Sequence, residues 1–419
     1  MTGTRVRLAS CLAVAMACLL PQPATAALEG ETAVDTAVET GVYHVSESFA
    51  SDVVDVNNDG YSDILLGAHD RGNVLLINNQ DGTFTRPANT VSAWPKQTSK
   101  FIDRHGCQWA DINGDLLPDA YCGVGRTEQN WIKGSDYDNE LWMQRPDGSF
   151  VDRGTRKGVG DPYGRGRDSI IFDANGDGQL DIYAMNAQAR DGDPDEGPRT
   201  YNKLYIQRDN GKFRNAPRFG LNLPLGYGQC GWGTDWDGDG DQDLFACGLD
   251  LFYYFENTND GFVSVGQSIG INRMYADVEP VDFDGDGDLD IVGNRSGQFG
   301  YHLNEGDNTF APSQVIAEVP SLTGSAVADA NGDGLLDIYL SRGAASAAAV
   351  SNPDDFLYMN PGTGADWTRI RMPSAVGSGT DVEAITVSPG ERPRFLVGNG
   401  NFNLLAPFQL LMLVPTPDE

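Results

Sequence analysis

Six stretches of the chain repeat one arrangement of oxygen-bearing side chains, Asp-x-Asx-x-Asp-x-x-x-Asp. Position one is Asp55, Asp111, Asp173, Asp235, Asp282 and Asp329, and position three is Asn57, Asn113, Asn175, Asp237, Asp284 and Asn331. Position five is Asp59, Asp115, Asp177, Asp239, Asp286 and Asp333, and position nine is Asp63, Asp119, Asp181, Asp243, Asp290 and Asp337. Alternate residues of a tight loop turn their oxygens into one cavity, which suits a hard dication that takes six to eight oxygen ligands. Calcium is therefore the expected ion, five or six per chain. The side chains of positions one, three, five and nine, with the main-chain carbonyl of position seven (Tyr61, Leu117, Gln179, Asp241, Asp288, Leu335), form the expected ligand set. Glycine at position six permits the sharp turn. Leu116 stands there in the second loop, which is expected to be distorted or to bind more weakly. The fourth and fifth loops bring a fourth carboxylate and should bind tightest.

An EF-hand opens on the same residues but needs Glu at position twelve, on an exiting helix. Position twelve here is Leu66, Cys122, Ala184, Ala246, Gly293 and Leu340. Each loop instead leads into a short apolar run such as Ile64-Leu-Leu or Ile182-Tyr-Ala, which reads as a strand. A second motif closes each unit: an apolar strand, a polar turn, then an aromatic. The aromatics are Phe84, Phe150, Phe213, Phe262, Phe310 and Trp367, expected to plug the space between neighbouring units. The loops start 56, 62, 62, 47 and 47 residues apart, a period that fits one four-stranded propeller blade each.

After the sixth unit enough chain remains for one more blade. Aligning Leu396-Val-Gly-Asn399 with Ile291-Val-Gly-Asn294 puts Val387, Pro389, Glu391 and Phe395 at its ligand positions, so a seventh blade should be degenerate and metal-free. The segment Gly41-Val-Tyr-His-Val45 is expected to complete it, because an open sheet edge is an aggregation hazard. The fold class is thus all-β, a seven-bladed β-propeller of four-stranded antiparallel blades with calcium loops in blades 1–6.

Composition agrees. Of 419 residues 40% are hydrophobic, enough for a large core, while 51 Gly and 22 Pro leave little room for helices. The net charge of -31 argues against nucleic acid as a partner. Residues 1–26 read as a signal peptide: Arg5 and Arg7, an apolar run from Leu8 to Leu20 too short to span a bilayer, and Ala24-Thr25-Ala26 as a cleavage site. A linker over 27–40, the propeller over 41–415 and a tail over 416–419 complete the expected organisation. No later segment reads as a transmembrane span, so a secreted or periplasmic monomer is expected. In an oxidising compartment the remaining cysteines should pair as Cys107–Cys122 and Cys230–Cys247, since each pair flanks one loop at nearly matched distances.

The loops, the strand after each and the closing aromatic resemble the FG-GAP/VCBS repeat family, whose seven-bladed propellers include the integrin alpha-subunit head. The run Gly164-Arg-Gly-Arg-Asp-Ser-Ile-Ile-Phe-Asp173 is similar to the cartilage-acidic-protein and UnbV-type members. The resemblance implies the fold and the calcium sites, and hardly any activity.

Strands of a blade alternate in direction, so the loop after the metal hairpin emerges at the opposite end. The expected binding face lies there, built from the insertions 126–140, 186–202 and 341–355 and the connections 86–100 and 152–165. It holds Arg71, Arg126, Lys133, Arg165, Arg167, Arg190, Arg199, Arg295 and Arg342 with Trp94, Trp131, Tyr137 and Tyr163, suited to a carboxylate or sulfate and to a sugar ring. A protein or glycan ligand is one reading. An enzyme of polysaccharide lyase or cyclase type is the alternative, with His105, His69, Tyr163, Arg165 and Arg167 as candidate base and charge-neutralising groups. A purely structural protein is the third. No Ser/His/Asp set, HExxH, Walker loop or nucleotide fingerprint is present.

Overall fold

The computed structural model describes residues 31–48, 50–68, 72–87, 104–125, 138–162, 164–187, 201–221, 230–247, 252–258, 260–265, 269–271, 276–295, 297–306, 309–343, 354–362, 366–373, 379–400 and 405–415. Seven four-stranded antiparallel sheets are the blades of a seven-bladed β-propeller. The chain divides into two compact units, one built mainly from 88–319 and the other from the N-terminal residues to 66, 75–87 and 320–419.

The first unit holds blades 2 to 5. Blade 2 runs Arg104–Ala110, Asp119–Val124, Glu140–Gln144, Phe150–Asp152, and blade 3 runs Gly166–Phe172, Asp181–Asn186, Lys203–Gln207, Phe213–Asn215. Blade 4 runs Cys230–Thr234, Asp243–Cys247, Phe252–Glu256, Val263–Ser264, and blade 5 runs Ala276–Val281, Asp290–Arg295, Gln298–His302, Gln314–Glu318. The second strands of blades 2, 3 and 4 are buried at every residue, because both their faces are covered. This is why they read as continuous apolar runs rather than as alternating ones.

Packing within this unit is organised by the closing aromatics. Phe213 of blade 3 lies in a cluster with Ile112, Tyr121 and Leu141 of blade 2. Phe262 of blade 4 meets Phe172 of blade 3 edge-on at 6.1 Å, and Phe310 of blade 5 lies 5.3 Å from Trp236 of blade 4. Each such burial stabilises by roughly 1.5–3 kcal/mol. Glycine admits one close approach: a Cβ on Gly233 would lie 2.5 Å from Phe172. Both expected disulfides are present, and each joins residues directly opposite in the first two strands of its blade, with Cα atoms 4.1 Å apart for Cys107–Cys122 and 5.1 Å for Cys230–Cys247.

The second unit holds blade 6 (Leu322–Ala328, Asp337–Arg342, Phe356–Met359, Thr368–Arg371), blade 7 (Asp381–Ile385, Arg394–Gly398, Gln409–Pro415) and blade 1 (Asp52–Val54, Asp63–Leu66, Val74–Asn78, Phe84–Thr85). The fourth strand of blade 7 is Glu31–Asp35, antiparallel to Gln409–Pro415 from Glu31↔Pro415 to Asp35↔Leu411. This corrects the expectation that 41–45 closes the blade and that 27–40 is linker. Glu31–Asp35 turns Ala33 into the core shared with Leu411 and Leu413, whereas of the expected segment only Val45 lies in a strand, Val45–Ser46, paired with Ala406–Pro407. Trp367 is half-buried, as Phe150 is, and precedes its edge strand.

Candidate metal centres and the opposite face

Each aspartate loop joins the first strand of its blade to the second. Ala110↔Asp119, Phe172↔Asp181, Thr234↔Asp243, Val281↔Asp290, Ala328↔Asp337 and Val54↔Asp63 are the last pairs before the turn, so the ninth residue opens the second strand. The turn needs positive φ at two positions, four and six. Glycine supplies both in loops 3 to 6, with Gly176 at 70° and Gly178 at 84° as one example. Asn58 takes the fourth position of loop 1 at 56°, and Leu116 takes the sixth of loop 2 at 70° with its side chain exposed. The expected distortion of loop 2 is absent: Leu116 N–H still donates to Asp111 Oδ2 at 2.8 Å, as Gly60, Gly178 and Gly334 donate to their first aspartates. The sequence does not anticipate the requirement at position four.

Loop oxygens are held in place by the backbone. Asn57, Asn113, Asn175 and Asn331 each accept the N–H of position five at 2.9–3.0 Å, and the fifth aspartate accepts that of position seven in every loop. In loops 4 and 5 the carboxylates themselves converge: Asp235, Asp237 and Asp239, and Asp282, Asp284 and Asp290, bring one oxygen each within 4.8 Å of the others. These two acidic clusters can hold a metal ion, and their all-oxygen donors fit a hard dication.

The ninth aspartate has a role that spacing alone does not reveal. Its Oδ1 accepts the N–H of the residue ending the third strand or just beyond it: Asn78, Gln144, Gln207, Asn257, Asn304 and Asn360, all at 2.7–2.8 Å. Its Oδ2 accepts the N–H of position two in five of the loops, as Ala330 does to Asp337 at 3.0 Å. Burial pushes these carboxyls up, with the other loop carboxylates adding: to about 7 for Asp63, Asp119 and Asp337, and about 8 for Asp181. Burial likewise raises Asp243 to about 7 and Asp290 to about 6.

In blades 1, 3 and 4 the amide side chain at that third-strand position also reaches across to the preceding blade. Asn257 Nδ2 donates to Gln242 O at 3.0 Å and to Ala174 O of blade 3 at 3.1 Å. Gln207 Nε2 donates to Leu180 O and to Ile112 O of blade 2, and Asn78 Nδ2 to Ser62 O and to Val387 O of blade 7. An amide residue recurs at this register in all six units, a signal that the loop spacing alone does not single out.

In blade 7 the hairpin pairs Ile385↔Arg394, so Arg394 occupies the ninth register position. The alignment that put Phe395 there is shifted by one residue, and Thr386, Ser388 and Gly390 fall at positions one, three and five. Arg394 lies 3.6 Å from Glu391.

At the opposite end of the blades, two of the candidate residues meet. Arg167 Nη1 lies 2.7 Å from His105 Nε2. A guanidinium only donates, so Nε2 accepts and the ring is the neutral imidazole with its proton on Nδ1. Both sit where the first strands of blades 2 and 3 break register, between His105 and Cys107 and between Gly166 and Asp168. Arg165 stands at the entry to the same strand, its carbonyl accepting Ala187 N–H at 2.8 Å. Beside them is a fork that the sequence did not suggest: Arg104 Nε and Nη2 donate to Glu140 Oε2 and Oε1 at 2.6 and 3.0 Å, and Trp142 Nε1 adds a bond of 2.8 Å. Arg342 donates through its backbone to Asp355. His69, Tyr163, Arg71, Arg126, Lys133, Arg190, Arg199, Trp94, Trp131 and Tyr137 lie outside the described residues, as does the side chain of Arg295. No helix among the described residues is long and apolar enough to cross a membrane.

Seven four-stranded blades, six of them opened by one aspartate-rich hairpin, define a repeat β-propeller. The chain carries FG-GAP repeats: the FG-GAP-like repeat matches residues 55–122, 235–293 and 282–340. Comparison with curated protein sequences gave no match. Among solved structures the chain is similar to an Agrocybe aegerita lectin recognising non-reducing terminal N-acetylglucosamine, at 18% identity and TM-score 0.48, covering 78% of this chain and 80% of that one. It is also similar to the Photorhabdus luminescens Tc holotoxin pore (15%, TM-score 0.40, 86% of this chain and 17% of that one). A third is the exotype rhamnogalacturonan lyase YesX (11%, TM-score 0.43, 88% and 72%). These are likenesses of fold.

Proposed function

We propose that this protein is a secreted, calcium-loaded binding module that takes a protein or glycan ligand at the blade ends opposite its metal loops. The observation that carries the calcium reading is the framework of the loops: side-chain oxygens at positions three and five in all six, and at position one in five of them, held by backbone N–H groups above a buried ninth aspartate. Like charges so placed call for a cation. Positions one, three, five and nine with the carbonyl of position seven would hold one ion in each of blades 1 to 6. Blade 7 would hold none, since the register gives it Thr386, Ser388, Gly390 and Arg394. Calcium would neutralise the loops and rigidify the blades. The two cross-strand disulfides support an oxidising compartment, in keeping with a signal peptide over 1–26.

The binding face is supported by Arg167, His105 and the Arg104–Glu140–Trp142 fork, which share one end of blades 2 and 3. The His105–Arg167 contact is also what a lyase reading would use. That reading is the weaker one, because the base nitrogen Nε2 already accepts from the guanidinium. The test is a glycan array probed with calcium-loaded protein and with Arg167→Ala. Loss of a specific signal in the variant, at unchanged unfolding midpoint, is the expected result. Binding that persists in Arg167→Ala but disappears on changing the metal-loop end would overturn the assignment of the face. Five or six ions per chain by mass spectrometry are expected; none would sink the calcium reading.

A further inference from the structure

Blade 3 carries a basic cleft that neither the metal loops nor the opposite face uses. In its outer hairpin Gln207 pairs with Phe213 and both are buried, while Ile206 pairs with Arg214. Side chains alternate along a strand, so Arg208 and Arg214 share the outward face. The chain then passes through the turn Pro217–Phe219, where Arg218 lies over the Phe219 ring at 4.9 Å. The three arginines, all exposed, border one cleft of about 410 Å³ whose wall includes Asn215 and Pro217.

What singles them out is that three cations without carboxylate partners border one cleft. On a chain of net charge -31, cations such as Arg104, Lys203, Arg371, Arg392 and Arg394 lie against acids. Arg208, Arg214 and Arg218 make no ion pair and no side-chain hydrogen bond among the described residues. Three guanidinium groups held apart from available carboxylates are donors kept for something outside the chain.

We propose that this cleft binds an anionic saccharide through its sulfate or carboxylate groups. Planar guanidinium forks match such oxygens in pairs, and the volume falls within the range of small-ligand sites. An acidic peptide would feel the same charge, but the edge strand here, Phe213–Asn215, is three residues long and offers little main-chain pairing to an extended chain. The site is independent of the ligand reading above: it lies on the outer hairpin, at the metal-loop end of blade 3.

Calorimetric titration of the calcium-loaded full chain with a sulfated uronate hexasaccharide tests the proposal. The triple variant Arg208→Ser, Arg214→Ser, Arg218→Ser should lose about tenfold or more in affinity, and Arg214→Lys, which keeps the charge but not the fork, should lose several-fold. Inorganic sulfate and a polyaspartate hexamer should bind far more weakly. Because the metal loops stay intact in these variants, saccharide held only through bound calcium would bind them as it binds the wild type, and that result overturns the proposal. Equal affinity for polyaspartate or for free sulfate overturns the saccharide assignment. Should the triple variant fold poorly, Arg214→Lys gives the same decision alone, since an undiminished affinity refutes the role of the fork.

Discussion

Replacing the ninth aspartate of one loop by its amide should change stability in opposite directions with and without calcium. Asp337 is the case to take, because it is fully buried and its carboxylate accepts two N–H groups, from Asn360 at 2.8 Å and Ala330 at 3.0 Å. Asp337→Asn keeps the shape but accepts on one oxygen only, so one buried N–H then faces an amide N–H₂. That mismatch costs about 1–3 kcal/mol. In saturating calcium the variant also loses the ion's contribution, about 2.7 kcal/mol when calcium stands at a hundred times its dissociation constant. Counted from the ion-free fold, which the amide itself stabilises, the loss of the ion leaves the variant in calcium about 0–2 kcal/mol less stable than the parent.

In excess chelator the balance reverses. Burial raises the Asp337 carboxyl to about 7 from an ordinary 3.8, so above neutral pH the ion-free fold carries an unfavourable charge worth on the order of 4 kcal/mol. The amide relieves that charge and keeps the smaller mismatch, leaving a net stabilisation of about 1–3 kcal/mol. Urea unfolding at pH 8, followed by tryptophan fluorescence in calcium and in chelator, reads both values. A destabilisation of the same size in both buffers would refute the reasoning, because the ninth aspartate would then be a purely structural acceptor.

Two further outcomes rest on the same framework. The ion-free protein should lose stability as pH rises: the ninth aspartates have raised folded-state pKa values, so their contribution is complete below the unfolded value near 3.8 and is lost through about 6 to 8. In calcium the slope should invert, since protons then compete with the ion, and thermal midpoints across pH in both buffers check the sign. Asn257→Ala removes bonds to two buried carbonyls, one in the preceding blade, and should cost about 2–4 kcal/mol in calcium, against about 1 kcal/mol for Asn360→Ala, whose amide donates only within its own blade. Equal costs in chemical denaturation would remove the inter-blade role.

The repeat was legible because a metal loop is local: its ligands lie within nine residues, and the period between copies is that of one blade. The cysteine pairs were legible for the same reason, since each spans a single hairpin. The features that escape the sequence all depend on partners distant in it. Asn257 looks like any turn residue until Ala174, 83 positions away, is seen to accept from it. Arg167 and His105 are 62 positions apart and meet only because two neighbouring first strands bulge together. Position four is hidden because Asn58 tolerates the left-handed region that five other loops reach with glycine.

The closing strand shows the same limit from another side. Glu31–Asp35 and the segment at 41–45 are both short and mixed in polarity, so local preference could not choose between them. What decides is the edge on offer: Gln409–Pro415 presents five consecutive partners, while Ala406–Pro407 presents two, one of them a proline without an N–H. Asp35 then ties the junction by accepting the N–H groups of Ala37 and Leu410, and Thr36 Oγ1 donates to Leu410 O, 374 residues along the chain. Such a pairing has to be reached across almost the whole sequence, so blade 7 is complete only after the rest of its sheet exists. The metal loops, by contrast, can each gather an ion as soon as two strands have turned.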